Sequence, residues 1–179
     1  VDGDMSTNDT VLALANGAVG KSELAGEDLC IFQAALNAVC ISLAKQIARD
    51  GEGATKLITV RVDGAVTAAD ARTVGLSVAN SNLVKTAVFG RDPNWGRILC
   101  AAGYAGVAID PDHTAVSMAG IPIYANGGGL PFDQDCAIEA LGASDIDIDI
   151  NLNIGEASAT IYTCDLTYDY VRINAEYTT

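Results

Sequence analysis

The chain has 179 residues, half of them hydrophobic and 18% charged, with a formal net charge of −13. That is enough apolar material for one domain, or for two small packed lobes, and it excludes a disordered chain. The acidic balance repels phosphate backbones, so nucleic acid is not expected as a partner, and no apolar run reads as long enough to span a membrane.

In the opening VDGDMSTNDT, Thr7, Asn8 or Asp9 is expected to cap a short helix over residues 11–15, which Asn16-Gly17 ends. The polar start shows no signal-peptide pattern. From 27 to 49, Leu29, Phe32, Leu36, Val39, Leu43 and Ile47 recur at helical steps. This predicts an amphipathic helix with that face in the core. Lys45 and Arg49 suit its C-terminal end, and Asp50-Gly51-Glu52-Gly53 stops it.

Residues 57–62 read as a strand with Ile58, Val60 and Val62 on one face, followed by a helix from Thr67 to about Asn80. Residues 83–89 are expected to form an apolar strand, and about 95–102 a helix. Between them lies Gly-Arg-Asp-Pro-Asn-Trp-Gly-Arg, residues 90–97, which holds the one Trp. Asp92 before Pro93 is pushed out of the helical region, so Asn94 or Trp95 starts the next helix. Two readings stay open for this octapeptide. It is an anion or carboxylate site at a helix N-terminus, or a rigid connection whose Trp plugs the core and whose arginines balance an acidic surface.

A strand is expected over 116–125, closed by Asn126-Gly127-Gly128-Gly129, then a short helix near 132–141. Over 145–154, Ile146, Ile148, Ile150, Leu152 and Ile154 alternate with Asp and Asn, the mark of a half-buried strand with one wet face. Carboxylates spread along a straight strand do not converge on one Ca²⁺. A second strand follows over 158–164. Cys30, Cys40, Cys100, Cys136 and Cys164 form no Cys-x-x-Cys pair and read as small buried hydrophobes in a reducing compartment. The single His113 leaves little material for a metal site or a Ser-His-Asp triad and reads as a solvated turn residue. With 18 glycines and 6% aromatics, the chain suits an α/β or α+β layered sandwich.

Two further segments carry chemistry. In Asp50-Gly51-Glu52-Gly53-Ala54-Thr55-Lys56, glycines flank one carboxylate, which gives either a ligand-facing turn with Glu52 on an ammonium or an ordinary helix stop. The tail CDLTYDYVRINAEYTT is polar and aromatic, with enough ring area to dock.

VDGD-STNDT, DGEGATK, GRDPNWGRI with AAGYAG, and CDLTYDYVRINAEY, in this order, closely resemble the β subunit of the glutamate N-acetyltransferases, or ornithine acetyltransferases, of arginine biosynthesis. The resemblance runs over nearly the whole chain and looks most like plant and cyanobacterial members. It implies stacked sheets flanked by helices, and residues 1–179 as one β-subunit fragment. The precursor would cut itself before a Thr, which becomes the nucleophile and carries acetyl from N-acetylornithine to glutamate, or from acetyl-CoA in bifunctional members. No cofactor or metal is implied. The partners implied are the α subunit, which would supply an oxyanion hole, and further αβ units.

Carried over by motif, Glu52 would meet an ammonium, while Asn174 and Thr179 would hydrogen-bond the α-carboxylate. Glu52 and Asn174 should therefore share one pocket. The nucleophilic Thr would lie upstream of Val1, so this stretch alone would be inactive. The compartment implied is the cytoplasm, or a plastid or mitochondrial matrix. The chain departs from the family pattern at Met5, at Tyr162-Thr163 and at Gly155-Glu156-Ala157. Two other classes remain: a non-catalytic amino-acid-binding domain, and a related self-processing amidase or aminopeptidase.

Overall fold

Strand β1 (Leu57–Ala65) is the spine of the molecule. The computed structural model describes residues 1–20 and 23–177. Ile58, Val60 and Val62 have no exposed surface. They pair in parallel register with Ile146, Ile148 and Ile150 of β5 (Asp145–Asn151). On its other edge β1 pairs antiparallel with β6 (Ala157–Cys164). β2 (Ala115–Met118), β3 (Ile121–Ala125) and β4 (Gly128–Gly129) complete a six-stranded sheet in the order β4-β3-β2-β5-β1-β6. The architecture is the mixed α/β class that composition pointed to.

Strict alternation in β1 and β5 sends branched aliphatics to one face. There they meet α2 (Ala68–Ala79), α3 (Asn82–Phe89) and α4 (Trp95–Gly103). Small residues on α2 and α4, such as Ala71, Ala101 and Ala102, are fully buried and let the helices approach closely. The opposite face is polar: Arg61 reaches Asp147 and Asp149, each at 3.0 Å. Helix α1 (Gly26–Arg49) touches this side near its C-terminal end, with Lys45 5.1 Å over the Tyr162 ring and Arg49 2.6 Å from Asp145. Tyr162 thus holds a helix cation, and its neighbour Thr163 bonds the Ala79 carbonyl at 3.2 Å.

Several expectations are corrected. Residues 83–89 are helical, not a strand. Ser81 caps them through the Val84 N–H, and Val84 and Val88, four apart, are both buried. So short an apolar run has no period that separates the two states. The expected strand over 116–125 is a hairpin, β2 to β3. Ala119 (φ 50°) and Gly120 (φ 78°) make its two-residue turn, and alanine hid the signal. Residues 11–15 are not helical. Asp9 accepts from the Ser6 N–H and hydroxyl instead, and Val11, Leu12 and Leu14 are largely exposed. So short a helix cannot hold without tertiary contacts.

α1 forms where expected, but its apolar face does not enter the core: Leu29, Phe32, Leu36, Val39, Leu43 and Ile47 are all exposed, and only Ala48 is buried. Its charges sit at its two ends, so it is long and apolar enough to cross a membrane by length and composition, contrary to the expectation. An interior helix of a larger soluble assembly passes the same test. Cys30, Cys40, Cys100 and Cys136 are exposed, and only Cys164 is buried, because three of the exposed four ride on α1 and the outer side of α4.

Candidate functional site

The DGEG turn and the C-terminal helix meet at one corner. Asp50 ends α1, its N–H bonding the Gln46 carbonyl. Gly53 then turns left-handed (φ 66°), and a Cβ there would lie 2.7 Å from Asp169 Cβ and 2.8 Å from the Tyr170 nitrogen. Glycine is required both for the turn and for this contact. Behind the turn, the buried Asp165 carboxylate accepts the Thr55 and Lys56 N–H groups at 2.8 and 2.9 Å and also the Thr55 hydroxyl. Lys56 donates to the Leu141 carbonyl at 2.9 Å. Burial, and then the charge of Arg91, lower its pKa, while Asp165 opposes them.

From Asp165 the chain enters α6 (Tyr168–Glu176). Thr167 caps it, its hydroxyl accepting the Tyr170 N–H at 3.4 Å and donating to the Gly53 carbonyl at 2.7 Å. Helix and turn are thereby tied together. The Tyr170 hydroxyl donates to Asp2 at 2.9 Å. That bond, then burial, then the charges of Asp2, Asp4 and Glu52 push the Tyr170 pKa up to about 12. Burial pushes Asp2 up, but the Asp4 N–H and the Tyr170 hydroxyl outweigh it and the carboxyl ends below its usual range. The Asn174 amide donates to the Tyr170 carbonyl at 3.0 Å.

Glu52 sits in the turn, its charge helping to raise the Tyr170 pKa, and Asn174 lies one turn beyond Tyr170 on α6. Both are exposed. Thr179 lies outside the described residues. Tyr170 and Asp2 were not singled out from sequence. Their only signals were a tyrosine in the polar tail and an acid in VDGD.

Cys164, close to Gly51, is not an activated nucleophile: burial raises its pKa more than the nearby Lys85 lowers it. Among the described residues no group of three or more His, Cys, Asp or Glu could hold a metal. The octapeptide is a connection between helices. Asn94 caps α4 through the Arg97 N–H at 3.1 Å and bonds Asp92 at 2.9 Å. Arg97 donates to the Leu83 carbonyl at 2.9 Å. Trp95 stacks on Tyr124 at 5.0 Å, and Gly129 leaves room for its indole nitrogen, 2.7 Å from where a Cβ would stand. This is the rigid-connection reading, with Trp95 lying against the core rather than sealed in it.

The family model that matches, ArgJ, covers residues 1–179. The arginine biosynthesis bifunctional protein ArgJ of Oryza sativa subsp. japonica, named chloroplastic, is 52% identical over all of this chain and 40% of its own length. The glutamate N-acetyltransferase of Methanopyrus kandleri is 50% identical over all of this chain and 47% of its own length. The chain spans less than half the length of these relatives. A crystal structure of the arginine biosynthesis bifunctional protein from Bacillus halodurans superposes with a TM-score of 0.94 at 44% identity, covering 99% of this chain and 84% of that one.

Proposed function

Because this chain belongs to the ArgJ family, we propose that it is the larger part of the β subunit of a glutamate N-acetyltransferase that moves acetyl from N-acetylornithine to glutamate. The observation that carries this is similarity along the entire chain, at 50% identity, to a protein named glutamate N-acetyltransferase. The corner of Glu52 and Asn174 supports it. An exposed carboxylate on the turn and an exposed amide on the helix packed against it match the ammonium and carboxylate of an amino acid. The relatives' name "bifunctional" supports acetyl-CoA as a second donor.

In this reading a Thr outside the chain attacks the acetyl carbonyl of N-acetylornithine. The tetrahedral intermediate collapses, the C–N bond breaks, and the α-amine of ornithine leaves with the proton taken from the hydroxyl. The acetyl-Thr ester is then attacked by the amine of glutamate, which releases N-acetylglutamate and restores the hydroxyl. Glu52 holds the substrate ammonium, and Asn174 and Thr179 hold the α-carboxylate. The rest of the polypeptide completes the site, and the exposed apolar face of α1 is a surface that rest would cover. The assembly would contain more than one αβ unit. Its place is the cytoplasm or, in a eukaryote, a plastid or mitochondrial matrix.

Intact-mass measurement of the full-length protein with N-acetylornithine tests the reading. An adduct of about 42 Da on the chain that begins with Thr, cleared by glutamate with formation of N-acetylglutamate, is expected. Release of acetate without an acceptor would move the assignment to an amidase. No adduct and no transfer would leave a binding domain.

A further inference from the structure

Helix α6 is an odd element on which to mount a substrate residue. Among its described residues none is buried, and Tyr168, Val171 and Ile173 face solvent. A hydrophobic seam therefore does not hold it in place, as it holds α2 or α4. What holds it is a short series of directed contacts. The Thr167 hydroxyl joins its start to Gly53, and the Tyr168 ring meets Phe89 edge-on at 5.6 Å. Both act at or before the first residue of the helix. The tie further in is the bond from Tyr170 to Asp2, and Asn174 in turn hangs its amide on the Tyr170 carbonyl.

Asp2 is itself on firm ground. Its carboxylate accepts the Asp4 N–H at 3.0 Å. The preceding Val1 carbonyl accepts from the buried Lys85 ammonium and from the Thr163 hydroxyl. A chain of contacts therefore runs from α3 and β6 through Val1 and Asp2 to Tyr170, and from there to Asn174.

We propose that Tyr170, held by Asp2, is a positioning residue of the amino-acid site, fixing α6 and Asn174 against the Glu52 turn. The inference rests on the reading of this corner as the amino-acid site. Without the bond to Asp2 the helix is held only in its first turn, by Thr167, the Tyr168 ring and the packing of Gly53 under Asp169 and Tyr170, and Asn174 lies beyond those contacts. A substrate hydrogen bond stretched by about 1 Å leaves hydrogen-bonding range and its share of binding is lost. Tyr170 is not a reacting group here, since its hydroxyl is committed to Asp2.

The test uses the full-length protein. Tyr170→Phe removes the hydroxyl and keeps the ring, and Asp2→Ala removes the acceptor and leaves Tyr170 whole, so one serves if the other fails to fold. In each, KM for N-acetylornithine and for glutamate should rise about tenfold, the size of one hydrogen bond to a charged acceptor, while kcat stays within about twofold. The double variant should be no worse than either single, because both remove one interaction. Hydrogen exchange should quicken in α6 in both variants and remain unchanged in β1 and β5. Wild-type KM in both singles, additive losses, or unchanged exchange in α6 would each overturn the proposal. A wild-type protein that transfers no acetyl would instead sink the functional reading, and the exchange measurement would still decide whether Tyr170 holds the helix.

Discussion

The two long apolar helical stretches of this chain meet opposite fates. α2 carries Ala71, Val74 and Val78 against the sheet, each with no exposed surface. α1 is twice as long at 24 residues, against 12, has a comparable apolar stripe, and presents it to solvent. Hydrophobic periodicity tells which side of a helix seeks cover. It does not tell whether the cover lies in the same stretch of chain. The sheet and its α2–α4 layer are a finished core, while the apolar stripe of α1 stays exposed among the described residues.

That contrast can be pressed by mutation. The largest effect should come from Ile148→Ala, which empties a position sealed between β1 and the helices. We expect a loss of about 2–5 kcal/mol in a denaturant titration. Leu36→Ala on α1 should cost less than about 0.5 kcal/mol in this stretch of chain alone. A large cost there would mean that α1 is already packed in solution. Lys56→Met comes next, because it strips the donor from the Leu141 carbonyl and should cost about 1–3 kcal/mol. Thr67→Ala, which removes the α2 cap on the Asp70 N–H, should cost about 1 kcal/mol by the same titration.

The smallest effect belongs to the surface. His113 and Asp110 are 2.7 Å apart, and the bond that the imidazole donates to Asp110, then the carboxylate's charge, raises the His113 pKa. NMR titration of this single histidine should find it above the ordinary histidine value, and Asp110→Asn should bring it down. Its contribution to stability is full below the ordinary histidine pKa and fades as pH rises through the raised one.

What could be read beforehand follows the range of the interactions. β1 and β5 were legible because branched residues alternate at Ile58, Val60 and Val62 and at Ile146, Ile148 and Ile150, and each of these inward positions is buried. α3 was not, because eight residues with Lys85 in the middle fit either period, and only the contact of Lys85 with Val1 and β6 explains a buried lysine there. The DGEG turn announced itself by its glycines. Its partner α6 could be seen only as a polar tail, since its anchors are Gly53 and Asp2, the second 168 residues away. The octapeptide drew attention by composition, yet its unusual residues serve a turn, a cap and a ring stack.

The placement of β1 has a temporal consequence. Its neighbours in the sheet, β5 and β6, are separated from it by everything from α2 through α5 (Gln134–Ala140). At about 5–20 residues per second on the ribosome, the most water-averse strand of the molecule must wait several seconds for its first edge and longer for its second. High sequence separation of this kind also slows folding in solution. The corner at Glu52 and Tyr170 closes after that, once α6 has emerged. Between the emergence of β1 and that of β6, the growing chain is therefore most in need of a chaperone.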